Sequence, residues 1–243
     1  MSYLRLLRIA NLPTVWANTL TAYWLAVAVA GVAFSVSWIL PGLLAVGSCF
    51  YLGGMVLNDW FDLELDRLER PERPLPSGRI SVTMAGGLGF FLLVAGLATV
   101  IVTAWPNPVA MAMGAAIPVA VLLYNAWLKH TPAASLGMGA CRALNILFVL
   151  CCTAAEETAW NTSAFFLLTL YPLGVFAYTS LVTLIAAQEV RRPWLQPVVG
   201  WMLLAMIPVD AVICLFVCGW RPALVVLALL PLPLLLRRSI PMS

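Results

Sequence analysis

The sequence predicts an all-α fold, a polytopic transmembrane bundle of about eight helices. Three observations predict it. Hydrophobic residues make up 63% of the chain and charged residues only 9%, with a mean hydropathy of +0.99; a soluble domain carries about 25% charged residues. The apolar residues fall in runs of roughly 20, the length that spans a bilayer core. Lys and Arg gather in alternate connections between these runs, as they do where a chain crosses a membrane repeatedly. With 243 residues the chain holds these runs and short connections, leaving no room for a separate soluble domain, so residues 1–243 read as a single transmembrane domain.

Met1 to Arg8 form a short basic lead-in. The apolar stretch behind it is too long for a cleavable signal and has no small-residue cleavage site. Spans bounded by Pro, Gly, Trp and charge follow at about 12–31, 38–57, 82–104, 108–128, 136–155, 163–187, 197–218 and 222–236. The last is short and contains Pro231 and Pro233, which predicts an interrupted crossing. Arg5 and Arg8 precede the first span; Arg67, Arg70, Arg73 and Arg79 follow the second. Lys129, Arg191, Arg192, Arg237 and Arg238 follow the fourth, sixth and eighth, so 11 of the 13 basic residues lie on one side. Arg221 lies on the other, beyond the acidic pair Glu156-Glu157, and Arg142 lies inside the fifth span. The positive-inside rule then places the N-terminus in the cytoplasm. The net charge of +3 reports orientation, not nucleic-acid binding. Six cysteines form no CxxC, and His130 is the only histidine, so buried, reduced thiols are expected rather than a thiolate metal site.

The chemistry concentrates after the second span, in Asn58-Asp59-Trp60-Phe61-Asp62-Leu63-Glu64-Leu65-Asp66 and then Arg70-Pro71-Glu72-Arg73-Pro74-Leu75-Pro76-Ser77-Gly78. If the helix runs on past the membrane boundary, Asn58, Asp62 and Asp66 stand at i, i+4 and i+8 on one face. Such a sparse anionic ladder suits Mg²⁺, which takes one or two carboxylates and completes its octahedron with water and substrate phosphates. At that spacing the carboxylates repel one another, so a cation or the nearby arginines must offset them. A solvated loop that merely fixes orientation is the competing reading. Orientation requires Lys and Arg, however, not a stepped Asn/Asp/Asp series joined to an Arg-Pro repeat.

This stretch closely resembles the first aspartate-rich motif of the UbiA superfamily of intramembrane prenyltransferases. The resemblance implies a helical bundle, usually of nine helices, around a central cavity. It implies transfer of a prenyl group from a polyprenyl diphosphate to an aromatic or other lipophilic acceptor within the membrane, with Mg²⁺ bridging carboxylates and diphosphate. Asn58, Asp62 and Asp66 then carry over as ligands to Mg²⁺ and diphosphate, and Arg73 as a diphosphate contact. Tyr124-Asn125-Ala126-Trp127-Leu128-Lys129 at the end of the fourth span is similar to the family's Tyr/Lys pair, where Lys129 binds diphosphate as a point charge. On this reading Asp62, Asp66 and Lys129 are catalytic, and Tyr124 stands beside the substrate. An interfacial Tyr-Lys anchor is the other reading of that pair. Arg142 and Asn145 share a face of the fifth span, Arg142 at roughly 10 Å depth. Intramembrane charge faces a cavity or a partner; two placements are open, contact with substrate or an ion pair with a buried carboxylate such as Asp210.

The sequence departs from the superfamily at the second aspartate-rich motif. Instead of two aspartates four apart, the end of the sixth span reads Ala187-Gln188-Glu189-Val190-Arg191, leaving Glu189 as the carboxylate for a second metal position. A reduced motif built around Glu resembles the EboC-like subgroup. It also supports a rival reading, a non-catalytic membrane protein that binds or carries an isoprenoid diphosphate. Phospholipid head-group transfer lacks its DGxxAR lead-in here, and no repeat of broken helices marks a transporter.

Overall fold

The computed structural model describes residues 2–31, 34–153, 162–189 and 191–236. Glu156, Glu157, Arg237 and Arg238, which contribute to the charge pattern, lie outside them. All regular structure among the described residues is helical. In chain order the helices are α1 (Ser2–Leu6), α2 (Leu12–Val29), α3 (Leu40–Phe61), α4 (Leu63–Glu69), α5 (Val82–Ala104), α6 (Pro108–Ala126), α7 (Ala134–Thr153), α8 (Thr162–Ala186), α9 (Leu195–Val217), α10 (Trp220–Leu227) and α11 (Pro231–Leu236). Six described segments are long and apolar enough to cross a membrane: α3, α5, α6 with its extension to His130, α7, Leu168–Ala186 of α8, and α9. The predicted first span is α2, and the predicted eighth is the broken pair α10 and α11. The chain is a multi-pass integral membrane protein.

Local sequence sets the helix starts. Ser81 Oγ accepts from the Met84 N–H at 3.2 Å to open α5. Asn107 Oδ1 accepts from Ala110 N at 3.0 Å with Pro108 next to it, opening α6. Between membrane helices, where lipid gives no hydrophobic drive, close approach of small residues supplies the packing. A Cβ on Gly96 of α5 would stand 2.6 Å from the Phe50 ring of α3, and one on Gly89 would stand 2.7 Å from Leu57. Likewise Gly139 of α7 fits under α8, where a Cβ would meet the Phe176 carbonyl oxygen at 2.7 Å.

Helix α2 carries a buried polar stripe and sits at the centre. Thr14, Asn18, Thr19 and Thr21 on it are all buried, and it packs against α3, α7, α8 and α9. A polar stripe inside a bilayer must find partners within the protein. Here Asn18 is the hub. Its Nδ2 donates to Asp210 Oδ2 of α9 at 2.7 Å, and its Oδ1 accepts from Arg142 Nη1 of α7 at 2.8 Å. Tyr171 of α8 donates its hydroxyl to Asp210 Oδ1 at 3.0 Å, and Arg142 Nη2 donates to Thr14 Oγ1 at 3.0 Å. These bonds clasp four helices together.

Candidate active site

The expected single helix through the aspartate series is bent. At Asp62 (φ −89°, ψ 5°) α3 gives way to α4. The one-turn spacing nevertheless survives the bend: Asp62 N donates to Asn58 O at 3.0 Å, Asp66 N to Asp62 O at 2.8 Å and Arg70 N to Asp66 O at 2.9 Å. Asn58, Asp62 and Asp66 therefore follow one another a turn apart. The Arg-Pro segment returns over them, anchored by Leu75 and Ile80 packed with Leu6, Val56 and Leu63. Gly78 closes it at φ +72°, a left-handed conformation that favours glycine.

This return brings acids and bases together. One Arg73 nitrogen donates to both Asp66 oxygens, at 3.0 and 2.7 Å, and lies 3.5 Å from Asp59. Arg8 Nη2 pairs with Asp59 Oδ1 at 3.1 Å. Lys129 Nζ meets Asp62 Oδ1 at 2.7 Å, donates to the Asn58 carbonyl at 3.3 Å and lies over the Phe61 ring. Asp59, Asp62 and Asp66 are thus each held by a cation. Burial raises the Asp66 carboxyl above the usual carboxylate range, with the Arg73 hydrogen bond and charge working against it.

Beside this cluster opens a cavity of about 280 Å³. Arg8, Asn58, Arg70 and Glu189 line it together with the interior residues Tyr124, Arg142 and Asn145. Val15, Phe50, Ile117 and Val121 supply apolar wall. Of the residues singled out in the sequence, Asn58, Tyr124, Arg142, Asn145 and Glu189 line the cavity itself. Asp62, Asp66, Arg73 and Lys129 are gathered at the adjoining cluster, facing one another as ion pairs rather than lining it. Arg142 makes no direct pair with Asp210; Asn18 stands between them.

Several groups that line the cavity have oxygens without a hydrogen-bond partner: Glu189 Oε1, Asn125 Oδ1, Asn145 Oδ1 and Thr179 Oγ1. The amide nitrogens of both asparagines are spent on the protein, Asn125 on the Val121 carbonyl at 3.0 Å and Asn145 on Thr19 Oγ1 at 3.3 Å. Buried oxygens left open in this way can accept from water or a ligand donor, or bind a cation. Burial also raises the Glu189 carboxyl, opposed by the charges of Arg70, Arg8 and Arg73. Among the described residues no three His, Cys, Asp or Glu side chains converge as a ready metal cage. Asn58, Asp62, Asp66 and Glu189 all offer oxygen, the donor type a hard cation takes, with Asp62 and Asp66 held by Lys129 and Arg73 in this arrangement.

The sequence model of the UbiA prenyltransferase family matches residues 15–241. The chain belongs to the UbiA prenyltransferase family. Among curated UbiA relatives, digeranylgeranylglyceryl phosphate synthase of Methanopyrus kandleri is 40% identical over 106 residues, which cover 43% of this chain and 36% of that protein. The enzyme of the same name from Saccharolobus solfataricus is 31% identical over 135 residues, 54% of this chain and 44% of its own length. The matches thus span less than half of these relatives. In fold, a solved digeranylgeranylglyceryl phosphate synthase gives a TM-score of 0.62 at 18% identity, covering 98% of this chain and 87% of the other. A UbiA homolog from Archaeoglobus fulgidus bound to GPP and Mg²⁺ gives 0.55 at 18% identity, covering 98% and 88%. At such identities the likeness is one of fold.

Three charged residues in this UbiA-family site were not singled out as functional from sequence. Asp59 stands at the centre of the ion-pair cluster, between Arg8 and Arg73. Arg8 and Arg70 read in the sequence as orientation charges, yet both line the cavity. Arg8 takes φ +46° and ψ 44°, left-handed for a residue with a Cβ. That turn between α1 and α2 carries its guanidinium to Asp59. No sequence pattern announces it beyond an arginine directly ahead of the first span.

Proposed function

We propose that this protein is a Mg²⁺-dependent prenyltransferase that moves the prenyl group of a polyprenyl diphosphate onto an aromatic or other lipophilic acceptor inside the membrane. The supporting observation is the cavity's setting: Arg8, Asn58, Arg70 and Glu189 line it beside the aspartate cluster, and Val15, Phe50, Ile117 and Val121 give it apolar wall around the interior polar groups Arg142 and Asn145. Asn58, Asp62, Asp66 and Glu189 would hold the metal. Bound there, Mg²⁺ stabilises the negative charge that grows on the departing diphosphate. Substrate phosphates offer Lys129, Arg73 and Arg8 new anionic partners, freeing the carboxylates these cations now hold. Lys129 contributes a compact charge and the arginines directional N–H groups. The apolar walls would exclude water from the allylic carbon, and Tyr124, which lines the cavity, is the candidate ring to stabilise positive charge there. Arg142 and Asn145 contact substrate further in. The positive-inside pattern puts this end of the bundle in the cytoplasm, as it does the N-terminus.

The test uses nanodisc-reconstituted protein with Mg²⁺ and radiolabelled geranyl, farnesyl or geranylgeranyl diphosphate. Extracted host lipids and quinone precursors serve as acceptors, and Asp62→Ala as the control. Metal-dependent label transfer that the variant loses is the expected result. Saturable binding without turnover would instead make the protein a carrier of isoprenoid diphosphates, and no binding at all would sink both readings.

A further inference from the structure

The charged groups that line the cavity are three arginines, Arg8, Arg70 and Arg142, and one carboxylate, Glu189. The aspartates stand beside this lining, each already matched to a cation: Asp59 to Arg8, Asp62 to Lys129 and Asp66 to Arg73. Glu189 and the aspartates also keep different company. The charges that bear on Asp66 are those of Arg73, Asp59 and Asp62, whereas those that bear on Glu189 are Arg70, Arg8 and Arg73. A carboxylate faced by guanidinium groups is a poor start for a metal position of its own, because a dication beside it meets their repulsion.

Arg70 is the cation without a partner. Its backbone N–H donates to the Asp66 carbonyl at 2.9 Å, which ends α4 and fixes where the side chain leaves the helix. Half-buried, it lines the cavity, yet its guanidinium makes no hydrogen bond and no ion pair among the described residues. Arg67, one turn earlier, pairs instead with Glu64 at the exposed surface. Arg8 spends Nη2 on Asp59 and is placed by the left-handed turn ahead of α2. Together Arg70 and Arg8 present spare N–H groups to whatever enters this end of the cavity.

We propose that the diphosphate is held here with a single divalent ion, the guanidinium groups of Arg70 and Arg8 supplying the positive charge that a second ion would bring. The inference rests on the prenyl-transfer reading of this cavity and concerns how the donor is gripped. A prenyl diphosphate carries a charge of roughly −3. One Mg²⁺ offsets part of it and takes one or two carboxylates, which Asp62 and Asp66, with Asn58 and Glu189, provide once. For the remaining oxygens arginine has two advantages. It stays charged at any physiological pH, and its planar fork gives a phosphate two parallel N–H bonds.

The test counts metal on protein reconstituted in phosphatidylcholine nanodiscs. It uses Mn²⁺ and geranyl thiolodiphosphate, an analogue whose C–S bond resists ionisation. Equilibrium dialysis with both labelled is expected to give one Mn²⁺ per bound analogue, and EPR the spectrum of isolated ions. Arg70→Gln, which disturbs no ion pair, weakens analogue binding at saturating Mn²⁺ by about tenfold and leaves the ratio at one. Arg70→Lys recovers part of that loss. Two Mn²⁺ per analogue, or an exchange-coupled spectrum, would overturn the proposal, as would unchanged affinity in Arg70→Gln. One Mn²⁺ per analogue in a protein that transfers no prenyl group would fail the enzymatic reading alone. Prenyl transfer together with two bound Mn²⁺ would fail this inference alone, and no binding of the analogue would sink both.

Discussion

Arg73 is the cation that holds Asp66, so its removal strands that carboxylate, while Asp59 keeps its pair with Arg8. Both acids are about 5% exposed and Arg73 is 15% exposed, which places the interaction well out of water. Breaking a buried pair from one side costs about 3–5 kcal/mol. Arg73→Ala is therefore expected to lower the thermal unfolding temperature in detergent, and a second change, Asp66→Asn, to restore part of the loss by removing a stranded charge. Equal destabilisation by the double variant would show that Arg73 acts through packing alone. Glu189 supports a different expectation, since its Oε1 has no hydrogen-bond partner. Glu189→Gln should weaken Mg²⁺-dependent diphosphate binding by roughly tenfold or more without loss of stability, measured by titrating metal against bound radiolabelled geranyl diphosphate. At this scale the sequence was legible where residues recur a turn apart, as Asn58, Asp62 and Asp66 do. It was opaque at Arg8, whose place depends on one left-handed backbone angle, and at Asp59, whose neighbours come from distant parts of the chain.

Helices here meet through small residues or buried hydrogen bonds, and each device makes its own prediction. At Gly139, α7 approaches α8 so closely that an added Cβ meets backbone, which cannot swing aside as a side-chain tip would. Gly139→Ala is expected to cost about 1–3 kcal/mol, seen as a lower unfolding temperature, whereas Gly174→Ala, where an added Cβ meets nothing within 4 Å, should be near neutral. Similar shifts at both positions would contradict this difference in packing. The clasp on α2 predicts that Asn18→Leu leaves Asp210 and Arg142 each short of a partner, at about 1–3 kcal/mol for every unsatisfied group. Asn18→Asp should retain the contact with Arg142 yet set two carboxylates against each other across Asp210. Span positions were readable from hydropathy because each apolar run had to be long enough for the bilayer. The bend at Asp62 was not, because the sequence there still carries helical spacing and the backbone ladder continues through it.

At the scale of the whole molecule, the bundle has one highly charged end. Arg5, Arg8, Arg67, Arg70, Arg73, Arg79, Lys129, Arg191 and Arg192 follow or precede spans at the end that carries the aspartates, while Arg221 lies in the first turn of α10 at the other. Short basic loops resist translocation, so this asymmetry predicts a cytoplasmic aspartate end. Function requires the same orientation if the diphosphate is to be drawn from soluble metabolism, because a multiply charged head group cannot cross the hydrocarbon core unaided. Ser77, in the Arg-Pro segment, and Trp105, at the far end of α5, are both exposed and lie at opposite ends of that helix. In a background with the six native cysteines replaced, a membrane-impermeant maleimide should label Ser77→Cys in inside-out vesicles and Trp105→Cys in intact cells. The reverse pattern would turn the molecule over, separating the candidate site from cytoplasmic diphosphates. Labelling of both positions from one side would break the alternation of spans on which the bundle is built.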